Sequence, residues 1–230
     1  MGASSVLKHC PKHAYLFNAM NRRLTDIDVV SLEKYRNRMT ALFAELGYEP
    51  RARAMQLSLD SLERHIYDSK TCNLVVDVFF DTLRMCHTVD FRKRLEVDYP
   101  TIPLAELLLE KMQIVKINEK DIEDTIILLL EHDIGASDED VVNGPYVARI
   151  LSKDWGFYYT VTTNLKTVRD FAVTYNTSGL ITEENKTAVH VRIDRLLDLI
   201  EKEPKSMNWK MRARVGTRRR WYEEVEDIYR

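Results

Sequence analysis

The 230-residue chain carries 34 Lys and Arg against 36 Asp and Glu, a formal net charge of −2, so no overall field demands a nucleic-acid partner. The length suffices for a sizeable core, and no apolar run reaches the ~20 residues of a membrane span or the pattern of a signal peptide. Cys10, Cys72 and Cys86 are odd in number and widely spaced, which points to a reducing cytoplasm rather than to disulfides or a zinc finger.

The chain opens on small residues, Gly2-Ala3-Ser4-Ser5, and His9, Cys10 and His13 after them read as solvated loop. Asp26-Ile27-Asp28-Val29-Val30 reads as a strand, because an Asp-x-Asp runs into β-branched residues. Alternation then puts Asp26 and Asp28 on one face, where two carboxylates repel unless a cation lies between them. Magnesium suits such a place, since it takes hard oxygen ligands. The alternative is an ordinary turn at a strand edge.

Leu32 to Leu46 carries a helical apolar stripe that Gly47 closes. Residues 54–59 and Arg64 to Asp68 follow as expected hairpin strands. In Asn73 to Asp81 an apolar, β-rich run is interrupted by Asp77, whose unpaired burial would cost several kcal/mol. A metal, a cationic partner or protonation are the remedies, which makes Asp77 a third candidate ligand; Asp81 ends the strand. Met85 to Asp98 reads as a solvated hairpin.

Pro103 starts a helix whose stripe includes Lys111, either packed by its stem with the ammonium at an edge or aimed into a cleft. Asn118 is a good N-cap, with Glu119 and Asp121 in the first turn and Asp124 one step on. Gly135 is expected to end that helix and to mark the domain boundary. Beyond it the chain reads as wholly helical: Ser137 with Asp140 as a capping arrangement, a break at Gly144-Pro145, then helices over 157–175 and 183–203 that Pro204 stops. Trp155, Tyr158 and Tyr159 suit packing or base stacking. Lys210, Arg212, Arg214 and residues 218–220 form a basic patch, either solvated and paired with Glu223, Glu224 and Glu226 or offered to RNA.

The order Gly2-Ala3-Ser4, Asp26-x-Asp28 and an isolated Asp77 on an apolar strand resembles the nucleotidyltransferase superfamily related to DNA polymerase β. The block from Thr101 to Asp124 resembles the Lys and Lys-Asp motifs of its abortive-infection and related uncharacterised branch. The resemblance implies an α+β domain over 1–135, a mixed β-sheet with flanking helices, then an α-helical domain over 136–230 that walls the cleft. It implies transfer of a nucleoside monophosphate from a nucleoside triphosphate (NTP) to an acceptor hydroxyl of a small molecule, protein or RNA, with Mg²⁺ or Mn²⁺. Asp26 and Asp28 would hold the nucleotide's metal, and Asp77 a second one. Gly2, Ser4 and Ser5 would meet the triphosphate, Lys111 and Lys120 would counter its charge, and Asp121 would act as base or orient the acceptor.

Two departures stand out. More residues separate Gly2 from Asp26 than in the compact motif, and no strand precedes Gly2. The expected consequences are an open sheet edge able to pair with a second copy, and mobile N-terminal residues. The rivals are a fold of this kind that binds without catalysing, and an RNA-binding protein that uses the basic tail.

Overall fold

The computed structural model describes residues 1–51 and 64–225. Among these residues the largest sheet has four strands, β1 (Asp26–Ser31), β2 (Tyr48–Pro50), β3 (Arg64–Ser69) and β4 (Val75–Phe80), in the order β1-β4-β3-β2. β1 runs parallel to β4 and the other pairs are antiparallel, so the sheet is mixed. Alternation along β4 divides its side chains. Val76, Val78 and Phe80 join Phe43 and Tyr67 in a small cluster, with Phe43 supplied by α3 (Arg36–Glu45), which follows α1 (Gly2–His9) and α2 (Tyr15–Ala19) in the chain. Phe79 faces the main core, and Asp77 shares its side of the strand. Gly47, at φ +82°, follows α3 in the left-handed conformation that only glycine adopts freely.

The main core joins α4 (Leu104–Met112), α5 (Glu119–Glu131), α6 (Gly144–Leu151), α7 (Trp155–Thr177) and α8 (Glu183–Lys202). Leu107, Ile126, Leu129, Val161, Leu165, Ile193 and Leu196 are completely enclosed there, each stabilising by roughly 1.5–3 kcal/mol. One continuous cluster therefore runs from Val6 to Ile200, across position 135. The helix starts obey local chemistry: the side chains of Asn118, Asn143, Asp154 and Thr182 each accept a backbone N–H three residues on.

Several expectations are corrected. The first residues are not a bare turn: Gly2–His9 forms helix α1, because Val6 and Ser5 bury against the core and Gly2 N–H is tied to Glu110. His9, Cys10 and His13 are not solvated loop residues. His9 bonds Thr101 at 2.7 Å, Cys10 lies in the core, and His13 meets Glu131 at 2.6 Å. Around 85–98 the hairpin is shorter, β5 (Thr82–Arg84) with β6 (Thr88–Asp90), and Leu83, Val89 and Phe91 bury one side of it. α5 stops at Glu131 rather than Gly135. The chain then forms two short parallel strands, β7 (Asp133–Gly135) and β8 (Val141–Asn143), whose Ile134 and Val142 enter the core. The segment after 137 is thus not wholly helical, and Asn143 rather than Ser137 supplies the cap. Residues 54–59 lie outside the described residues.

β1 stands at an edge of the sheet, where the Met1 amine donates to the Asp28 carbonyl at 3.0 Å. Helix α9 (Met207–Val215) and the tail behind it return over α7. Trp221 Nε1 donates to Thr160, and Glu223 closes a bidentate pair with Arg84 beside the β5–β6 hairpin.

Candidate metal centre

Parallel pairing in register sets Asp28 directly opposite Asp77 across β1 and β4, and Asp26 lies two residues away on the same face. One carboxylate oxygen from each of the three lies within 4.8 Å of the others. Two oxygens on one cation stand at most about twice its bond length apart, about 4.2 Å for Mg²⁺ and about 5.2 Å for Ca²⁺, so a spread within 4.8 Å allows a shared divalent cation without selecting one. Burial, with the repulsion of Asp26 and Asp77, holds the Asp28 carboxyl above the ordinary range, against the pull of Lys111 and the terminal amine.

Acidic groups cluster at many surfaces without a metal, so the deciding feature is Asp77. The residue is 3 % exposed. Arg64 Nη2 donates to its Oδ2, while Oδ1 is enclosed with no hydrogen-bond partner among the described residues. A buried acceptor left in that state costs about 1–3 kcal/mol, which a hard cation would offset. The all-carboxylate donor set and the orphaned oxygen together suit a hard divalent cation.

Gly2 touches this centre. It sits at φ +68°, and a Cβ there would come within 2.2 Å of Asp28 Oδ2, so a larger residue would displace the carboxylate. Its N–H points to both oxygens of Glu110, at 3.1 and 3.2 Å. Burial pushes the Glu110 carboxyl up to about 7, against the pull of Lys111. Ser4 Oγ donates to the Met1 carbonyl, and Ser5 is enclosed. Both serines line a cavity of about 530 Å³ that abuts Asp28, between α1 and residues 95–102, with Lys8 on its wall. That volume falls in the range of small-molecule sites.

Lys111 lies in a second charged group. Its ammonium stands 3.0 Å from Asp124, 3.3 Å from Asp121 and 3.8 Å from Glu110. Burial acts to lower its pKa, and those three carboxylates outweigh it, so the lysine stays charged. Arg22 grips Asp124 through two bonds of 3.0 and 3.1 Å, and Asn118 donates to Asp121 at 2.9 Å. Lys120 is exposed on α5. The aspartate trio and Gly2 therefore come together, Asp121 turns to Lys111, and Lys120 faces solvent.

Sequence reasoning missed Arg64, Arg22 and Glu110. Arg64 alone carried a usable signal, since Asp77 in an apolar strand called for a cation on a neighbouring strand. The aromatic residues 155, 158 and 159 pack: Trp155 stacks on Tyr159, and Tyr158 meets Trp209 edge to face. In the basic segment Arg212 and Arg218 donate to backbone carbonyls of their own loop, and Arg220 pairs with Glu224. Glu226 lies outside the described residues.

Comparison with known proteins finds no matching family model, no matching curated protein and no matching solved structure.

Proposed function

We propose that the protein is a metal-dependent nucleotidyltransferase, which moves a nucleoside monophosphate from an NTP to an acceptor hydroxyl. The observation that carries this reading is the convergence of Asp26, Asp28 and Asp77, with a buried Asp77 oxygen left over for a cation. Mg²⁺ or Mn²⁺ held there would supply Lewis-acid stabilisation of phosphoryl charge. The chain's own groups do the rest. Gly2 lets the backbone approach the carboxylates, and the cavity beside Asp28, with Ser4, Ser5 and Lys8, offers room and donors for a triphosphate. Lys111 sets a positive field at Asp28 from a fixed position. Asp121 holds the lysine, a role its bond to Asn118 reinforces.

One observation favours a second reading, a related fold that binds without transferring: Glu110 already takes the Gly2 N–H that a triphosphate would use. Incubation with α-labelled NTPs and Mg²⁺ or Mn²⁺ separates the two. Label should appear on the protein itself, on RNA or on a small-molecule hydroxyl, and disappear in Asp28→Asn. Nucleotide binding without label transfer to any acceptor class would support the binding module.

A further inference from the structure

Arg64 opens β3, and the antiparallel register places it opposite Phe79, one step diagonal from Asp77 on the same face of the sheet. Its guanidinium lies 5.3 Å from the centre of the Phe79 ring and donates through Nη2 to Asp77 Oδ2. An arginine whose task is to neutralise a carboxylate usually closes both arms of the fork. Several other pairs among the described residues do so, Arg22 with Asp124, Arg51 with Asp68 and Arg84 with Glu223 among them. Arg64 closes one arm only. Its Nε and Asp77 Oδ1 are both enclosed, and neither has a hydrogen-bond partner among the described residues.

We propose that Arg64 is a positioning residue of the metal centre: it fixes and partly neutralises Asp77 through Oδ2 and thereby reserves Oδ1 for a divalent cation. This rests on the reading of the three aspartates as a metal centre. Its orphaned Nε–H is then the place for an anionic oxygen of whatever the cation carries. Arg64 has two opposing effects on the site. It orients the carboxylate, which favours productive metal binding, and it adds a positive charge, which weakens cation affinity. Loss of the arginine should therefore separate affinity from turnover, which loss of a metal ligand would not do.

The test compares Arg64→Met, Arg64→Lys and the double variant Arg64→Met/Asp77→Asn with the unaltered chain, using Mn²⁺ as the probe. Free Mn²⁺ is counted by electron paramagnetic resonance, and thermal unfolding is followed in EDTA and in saturating Mn²⁺. In EDTA, Arg64→Met should unfold roughly 5–10 °C lower, because Asp77 is left buried and unpaired. Mn²⁺ should restore most of that loss, and its affinity should rise, roughly threefold to tenfold. The double variant should regain the original unfolding temperature in EDTA. Arg64→Lys keeps the charge without the planar fork, so it covers the case in which Arg64→Met does not fold. It should hold Mn²⁺ within about twofold of the unaltered chain while nucleotidyl transfer falls about tenfold.

An Arg64→Met loss that is equal in EDTA and in Mn²⁺ would make the arginine structural only and overturn the proposal. Weaker Mn²⁺ binding in Arg64→Met would overturn it as well, as would unchanged transfer in Arg64→Lys. Failure of the underlying reading looks different: the unaltered chain would then bind no Mn²⁺ at all.

Discussion

Two charged groups lie against the same helical core, and they are finished to different degrees. Around Lys111 every charge is answered: the ammonium by Asp124, Asp121 and Glu110, Asp124 by Arg22, Asp121 by Asn118, and Glu110 by the Gly2 N–H. Around Asp77 three carboxylates converge, Arg64 holds one oxygen of Asp77, and the other has no hydrogen-bond partner among the described residues. A closed network fixes structure, whereas an open one stores unfavourable energy that a ligand can release. The contrast fits the first group to holding α4 and α5 together and the second to the proposed cation site.

The largest expected effect breaks the closed group. Asp124→Ala leaves both Arg22 and Lys111 without their shared partner and should cost about 3–5 kcal/mol of stability, read by denaturant unfolding. Added Mn²⁺ should not restore it. Asp28→Asn should act with the opposite sign. Removal of one of three repelling carboxylates should leave the metal-free protein as stable as before or about 1 kcal/mol more stable, while Mn²⁺ affinity falls at least about tenfold. If Asp28→Asn instead unfolds the chain as Asp124→Ala does, the two groups are alike and the contrast fails.

Acidity sharpens the comparison at the point where the two groups meet. Glu110 has a raised carboxyl, about 7 when folded against an ordinary 4.5. Between those values the folded state holds a proton that the unfolded state has lost, so this group's contribution to stability declines as pH rises through that window. Glu110→Gln should remove that decline. Unfolding temperatures of the two proteins that stay a constant distance apart from pH 4.5 to 8 would contradict this assignment. The smallest effect belongs to the exposed Arg84–Glu223 pair, where Arg84→Ala should cost only about 0.2–1 kcal/mol and leave metal binding untouched.

What the sequence disclosed follows from how local each signal is. β1 and β4 were readable because face alternation separates Asp26, Asp28 and Asp77 from the apolar partners beside them. Helices α5 and α8 were readable from Asn118, Pro204 and a sustained 3.6-residue stripe. Helix α1 was hidden, since Gly2-Ala3-Ser4-Ser5 has weak helical preference and is held by a residue 108 positions away. Strands β7 and β8 have three residues each, too few for any period to show. The same limit concealed the arginine partners. Arg64 reaches Asp77 through strand register and Arg22 reaches Asp124 through tertiary packing, so neither spacing has a meaning along the chain. The resemblance pointed Lys111 at triphosphate; the fold surrounds it with carboxylates.

The central claim is that the aspartate group is unfinished without a divalent cation, and Mn²⁺ titration followed by electron paramagnetic resonance tests it most directly. The unaltered protein should bind Mn²⁺ saturably, and Asp26→Asn, Asp28→Asn and Asp77→Asn should each lose at least about tenfold in affinity while circular dichroism shows the fold retained. Saturable binding that all three variants keep, or no binding by the unaltered protein at millimolar Mn²⁺, would contradict it.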